Sequence, residues 1–174
     1  MTFDWDDAYP GHDGFDRLLW LRELRPDFCC TLFTIPGLCT PEWCESMPGW
    51  VELAVHGWNH ITTEECAEWT RDDMAWCLDQ PIVKDFFVEG FKAPGWQISD
   101  DCYAELLDRG FWVADQHLED KRRPKGLRTY FYEDGGWHGH IGNVCGNGIE
   151  ETWERVVGAV RGAKEFRFVS EAAG

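Results

Sequence analysis

Two histidines, His56 and His60, stand four residues apart in the stretch Trp50 to His60, WVELAVHGWNH. Neutral imidazoles at that spacing can face one point, because four residues is a whole number of strand repeats and close to one helical turn. Zinc and similar ions favour such nitrogens, with a carboxylate as third ligand and an open position for water. Alone, HxxxH is a weak signal, since two histidines at a strand end are more often polar loop residues than ligands. Other stretches carry groups suited to the same chemistry: the carboxylate pair Asp6-Asp7, the segment Lys92 to Trp96 (KAPGW), Asp115, and His138 with His140 in WHGH. Whether these stretches converge on the histidine pair decides whether they form one site.

Such a set works only if the chain gathers it. Met1 to Trp5 reads as a first strand with Asp6-Asp7 at its carboxyl end, and Phe15 to Leu24 has helix spacing with Asp13 as its cap. Phe28 to Ile35 is a near-continuous apolar run, a strand buried on both faces. Thr40-Pro41 has the order that opens a helix, and Trp50 to Val55 is the next strand. Thr62 and Glu65 have capping-box spacing, which predicts a helix just after His60 with Cys66, Trp69, Asp73, Trp76 and Cys77 on its face. Phe86 to Phe91 reads as a strand, Ser99 caps a helix ended by Gly110, and Phe111 to Ala114 is a strand leading to Asp115. Residues 116–126, with His117 and the basic run Lys121 to Lys125, read as a solvated loop. Leu127 to Tyr132 and Trp137 to Ile141 read as strands around the Asp134-Gly135-Gly136 turn. A last helix opens at Asn147 or Gly148, and Phe166 to Val169 reads as a closing strand.

Strands alternating with helices imply an α/β fold of parallel strands with helices outside. About seven strand units suggest a (β/α) barrel, complete or incomplete, forming one domain over residues 1–174. In such folds functional groups gather at the carboxyl ends of strands, and the polar stretches named above stand there. With 16 basic against 32 acidic side chains, the net charge of −16 argues against nucleic acid or an anionic membrane as partner. It fits a neutral or cationic small molecule. No run approaches the ~20 apolar residues of a membrane span, and MTFDWDD has no secretory pattern. Eight cysteines, mostly within apolar segments, are then expected to be reduced, in a cytoplasmic protein. Cys39 and Cys44 lack the paired spacing of a structural zinc site.

In order and spacing, the stretches FDWDDA, HGWNH, FKAPGW, FWVAD and WHGH resemble the five motifs of the polysaccharide deacetylase (NodB-homology) family, and EFRFVSE resembles its final strand. The resemblance implies a deformed barrel and a single divalent metal, with zinc as the default, held by Asp7, His56 and His60. It implies Asp6 as the base acting on water, with Asp4 the weaker candidate because a strand ending there would be only about three residues long. Family position allows either His138 or His140 as the acid that protonates the leaving amine, with His138 narrowly favoured. Lys92 stands where the family has arginine, a point charge in place of a two-pronged grip, with Asp115 as its expected anchor. Gly95 fills the usual aromatic slot, so among the expected substrate-binding residues Pro94, Gly95 and Trp96 the Gly95 N–H would complete an oxyanion hole and Trp96 would stack on a sugar ring. His12 near the first motif reads as a solvated turn residue. The implied activity is metal-dependent removal of an acetyl group from a carbohydrate or related small amide, a carbon–nitrogen bond other than a peptide. The alternatives are a non-catalytic carbohydrate-binding protein on the same fold, or hydrolysis of another amide.

Overall fold

The structure is a computed structural model that describes residues 1–11, 14–117, 122–142 and 146–174. The strands are β1 (Phe3–Ala8), β2 (Cys30–Thr34), β3 (Val51–Val55), β4 (Gly90–Lys92), β5 (Trp112–Asp115), β6 (Thr129–Phe131) and β7 (Trp137–His140). They form one sheet in the order β6-β5-β4-β3-β2-β1-β7, with every pairing parallel. Helices α1 (Phe15–Leu24), α2 (Pro41–Glu45), α3 (Arg71–Leu78), α4 (Pro81–Phe86), α5 (Asp100–Asp108), α6 (Trp153–Gly162) and α7 (Val169–Ala172) fill the connections and the end of the chain. The sheet curls until the hydroxyl of Tyr130, on one edge strand, bonds that of Thr2, which precedes β1 near the other edge. No ladder joins β6 to β7 among the described residues, so the barrel is incomplete.

Side chains alternate across the strands. Phe3 and Trp5, Cys30 and Leu32, and Val51 and Leu53 pack in one cluster with Leu18 and Leu21 of α1 and Val156, Val157 and Val160 of α6. Val55, Phe91 and Val113 join Met74, Cys77 and Leu78 of α3 and Cys102, Tyr103 and Leu106 of α5. The intervening residues Phe33, Ala54, Trp112, Ala114 and Tyr130 line the concave face, where Val169 of α7 joins them. Trp112 lies so close to Gly90, its partner in register, that a Cβ there would sit 2.1 Å from the indole. Each fully buried large apolar side chain contributes roughly 1.5–3 kcal/mol. Two of the three clusters lie under helices, so the concave face can carry charge near its mouth.

Several expected elements differ. The chain after His60 forms turns rather than a helix; α3 starts at Arg71, with the capping box supplied by Thr70 and Asp73. Pro81 opens α4, which takes Phe86 out of the expected strand and leaves β4 three residues long. β6 and β7 are opposite edges of the sheet and not a hairpin, since all their pairings are parallel and made elsewhere. Arg167 makes a single bridge to Thr2 before the chain turns into α7, so the closing strand is absent. The helix expected to open at Asn147 or Gly148 is α6, which begins at Trp153. Thr40 and Ser99 cap α2 and α5 as expected, through Trp43 N–H and Cys102 N–H. Cys145, Asp13, His12 and Lys121 lie outside the described residues; the other seven cysteines are free thiols.

At the closed end of the concave face, Glu52 ties α7 to the sheet. Its Oε1 accepts from the Thr31 hydroxyl at 2.8 Å and from Ser170 N–H at 3.3 Å, and its Oε2 from the Ser170 hydroxyl. Burial outweighs these bonds and holds the carboxyl above the ordinary glutamate value of 4.5. The folded state therefore keeps the proton longer than the unfolded chain, and stability is lost as pH rises through the folded pKa. A Glu52→Gln variant, which can keep the three contacts, should be as stable as the parent near pH 4 and gain on it toward pH 8. The gain is read from urea midpoints at the two pH values; no pH dependence of the difference would refute the assignment.

Candidate functional site

Adjacent residues of a strand normally point to opposite faces, yet Asp6 and Asp7 serve one site. The register explains it. Trp5 pairs with Leu32 and Ala8 with Thr34, so three steps of β1 match two of β2, and Asp7 takes φ +62° within the bulge. Bulges re-aim side chains, and here the second carboxylate swings beside the first. Among the described non-glycine residues, positive φ occurs at Asp7, His60 and Trp96, all around this mouth; strain of this kind gathers at functional sites.

His56 follows β3 on the concave face and is fully buried. Its Nδ1 lies 2.9 Å from the Lys92 carbonyl; a carbonyl can only accept, so Nδ1 carries the proton and Nε2 offers its lone pair. Burial holds this imidazole below its ordinary pKa against the pull of Asp6 and Asp7. The chain then turns back at Trp58, Asn59 and His60, whose N–H groups all donate to the Glu65 carboxylate at 2.9–3.2 Å. Glu65, expected as part of a helix cap, instead ties down the histidine loop. His56 Nε2 is 3.6 Å and His60 Nε2 3.3 Å from Asp7 Oδ1.

Lys92, at the end of β4, is buried with its ammonium 2.7 Å from Asp6 Oδ1, 3.1 Å from Asp4 Oδ2 and 2.9 Å from His138 Nδ1. The rings of Phe33 and Trp96 flank it, with centroids 4.7 and 4.3 Å away. Burial raises the Asp6 carboxyl, but Lys92 and the histidines overcome that and hold it far below the ordinary range, so Asp6 is ionised at neutral pH. His138 and His140 alternate onto the same face of β7, in register with Asp4 and Asp6. His138 Nδ1 is 2.9 Å from Asp4 Oδ2, and His140 Nδ1 is 2.9 Å from Asp7 Oδ2. For His140, burial lowers the pKa, but the bond to Asp7 and the charge of Asp6 more than offset it and the net shift is upward.

Asp115 does not anchor Lys92. Lys92 pairs in register with Ala114, so the next residue of β5 points to the helix side. There its carboxylate accepts from Tyr103 of α5 and, at 2.7 Å, from Arg123. Pro94 is buried, and Gly95 at φ +54° sits where a Cβ would meet the Thr63 carbonyl at 2.4 Å. An aromatic in that slot is therefore excluded by the backbone of the loop after His60. Trp96 instead stands at the mouth, its ring 5.3 Å from both Tyr132 and His138. Asp4 and Tyr132 are further members of this cluster. Tyr132 reads in the sequence only as the end of a strand. His117 stacks on Phe131 in the loop, outside the site.

The donor set fits a cation. Asp7 Oδ1 is buried and has no hydrogen-bond partner among the described residues, and ligand atoms of Asp7, His56 and His60 lie within 4.8 Å of one another. An unpartnered buried carboxylate oxygen facing two imidazole nitrogens is costly without a ligand. Asp6, His138 and His140 also converge within that distance, but Lys92 already neutralises them. Three carboxyl groups, Asp4, Asp6 and Asp7, thus stand around the one amine of Lys92, an acidic excess that suits a cation.

No family model matches the sequence, and the search of curated proteins found no match. Solved structures do match over nearly the whole chain. The chitin deacetylase of Colletotrichum lindemuthianum aligns with TM-score 0.65 at 13% identity, covering 99% of this chain and 86% of the other. A family 4 acetyl xylan esterase of Clostridium thermocellum, in complex with a cobalt ion, gives 0.64 at 13%, covering 98% and 88%. A CE4 family pseudoenzyme of Bacillus anthracis gives 0.61 at 13%, covering 98% and 63%. The chain has the fold of these structures.

Proposed function

We propose that this chain is a member of the polysaccharide deacetylase family and a metal-dependent hydrolase that removes an acetyl group from a carbohydrate or related small amide. The observation that carries the reading is the orphaned Asp7 oxygen facing His56 and His60, with an ionised carboxylate on one side and a carboxylate-bound imidazole on the other. Asp7, His56 and His60 would hold one divalent ion, zinc being the default for two imidazoles and a carboxylate. When bound, such an ion acidifies a water toward pKa ~7 and polarises an acyl oxygen.

The residues of the chain supply the rest. Asp6 keeps Oδ1 on Lys92 and leaves Oδ2 to accept a proton from water as base; His56 and His138 stand 3.8 and 3.9 Å from that oxygen. Lys92 keeps Asp6 ionised and oriented. His140 buttresses Asp7, and His138 gives a proton to the leaving nitrogen as acid. The backbone N–H of Gly95 would face the acyl oxygen, while Trp96 and Tyr132 offer ring faces to a sugar.

One alternative has support. A carbohydrate-binding protein without turnover would account for lysine and glycine at positions where the family has arginine and an aromatic. Acetate release from a panel of N- and O-acetylated sugars, with added zinc and with chelator, separates the two. The deacetylase reading expects release that chelator abolishes and zinc restores. Binding without release under any metal would establish the alternative, and metal-independent release would remove the metal from the reading.

A further inference from the structure

We propose that Asp4 is a positioning residue that fixes the proton of His138 on Nδ1 and thereby makes Nε2 the atom that releases a proton. This rests on the reading of His138 as the acid. Two groups compete for Nδ1 at the same distance. Asp4 Oδ2 lies 2.9 Å away and would accept its proton, and the Lys92 ammonium lies 2.9 Å away and would donate to its lone pair. The two outcomes differ chemically. With Lys92 as donor, the imidazole is neutral and its only proton sits on Nε2, so releasing it would leave an imidazolate. With Asp4 as acceptor, Nδ1 keeps its proton; the ring can take a second on Nε2, give it to the leaving nitrogen, and end as neutral imidazole still held by Asp4.

The surroundings favour Asp4. Among the described residues its Oδ1 is buried without a partner, and Lys92 Nζ and His138 Nδ1 are the groups that can donate to this carboxylate, both at Oδ2. Losing the His138 donor would leave a buried carboxylate with one hydrogen bond, a costly state. Lys92 has outlets besides Nδ1: Asp6, Asp4 and the faces of Phe33 and Trp96. The other groups around His138 are Asp6, 3.9 Å from Nε2, and the rings of Trp96, Tyr132 and His140 at 5.3–5.6 Å.

The test uses zinc-loaded protein labelled with ¹⁵N-histidine; six histidines make assignment practical, with a His138→Gln spectrum identifying the signal. The wild type should show a proton-bearing Nδ1 at neutral pH. In the near-isosteric Asp4→Asn variant that proton should be lost from Nδ1 as Lys92 takes its place. Hydrolysis of an acetamide should then fall by ~10²-fold or more, the scale of general-acid assistance, with KM little changed. An activated aryl acetate, whose leaving group departs unaided, should lose far less. A wild-type Nδ1 without a proton overturns the proposal, whether or not Asp4→Asn folds. So does an Asp4→Asn protein whose nitrogen shifts and amide-to-ester ratio match the wild type. If no acetylated compound is turned over, the deacetylase reading falls, and the nitrogen shifts still decide the tautomer.

Discussion

An Asp6→Asn variant is expected to lose ~10²–10⁴-fold in kcat on any substrate the wild type deacetylates, the range assigned to one general base, while binding metal as the wild type does. Asparagine is nearly isosteric, and its amide oxygen can still accept from Lys92 at the position of Oδ1, 2.7 Å from the ammonium. The amide nitrogen replaces Oδ2 and cannot take a proton. Asp6 is not among the three proposed ligands, and its Oδ2 stands 3.8 Å from His56 Nε2, so metal content by elemental analysis should stay at one per chain. The carboxylate is ionised at neutral pH because Lys92 and the histidines outweigh its burial, so the lost function is acceptance and not a shifted pKa. Activity within a few-fold of the parent would exclude Asp6 as base and leave Asp4, which shares the lysine. Loss of metal together with activity would instead make Asp6 a ligand.

How much of this was legible in the sequence depended on whether a residue's role follows from its own strand. His138 and His140 alternate on one face because a strand has period two, and the i,i+4 histidines stand where a strand ends. The fold class followed from strands alternating with helices. The pairing of the two aspartates did not follow: period two places Asp6 and Asp7 on opposite faces, and only the bulge, visible as three residues against two in the β1–β2 register, unites them. Asp115 failed for the complementary reason. Its place at a strand end was right, but its face is set by the register of β5 against β4, which puts Ala114 opposite Lys92. The TxxE spacing makes Glu65 a helix cap by local rules; three N–H donors from the loop before it outcompete the helix. Strand length argues against Asp4, whereas strand parity puts it on the face of Asp6. The expected hairpin rested on a local turn, and strand order in a curled parallel sheet is a long-range property.

A His56→Ala variant should lose metal affinity by more than the ~10–100-fold typical of losing a group that merely orients a ligand, since it removes one of three protein donors. The clearest readout is thermal. A ligand present at 100 times its Kd stabilises the folded state by about 2.7 kcal/mol, which in a domain of this size corresponds to a rise in Tm of about 5–10 °C. Zinc should produce that rise in the wild type and none in His56→Ala at the same concentration. The variant should also melt lower without added metal, because His56 is fully buried and its Nδ1–H satisfies the Lys92 carbonyl; an unsatisfied buried carbonyl costs about 1–3 kcal/mol. His60→Ala separates the two effects. Its side chain is more exposed than that of His56, and the loop is held through backbone N–H groups by Glu65, so it should lose the zinc response with a smaller drop in the metal-free Tm. A zinc-dependent rise of wild-type size in both variants would place the metal elsewhere, with Asp6, His138 and His140 as the next candidate set. The same rise in His60→Ala alone would leave Asp7 and His56 as the anchors and make His60 dispensable.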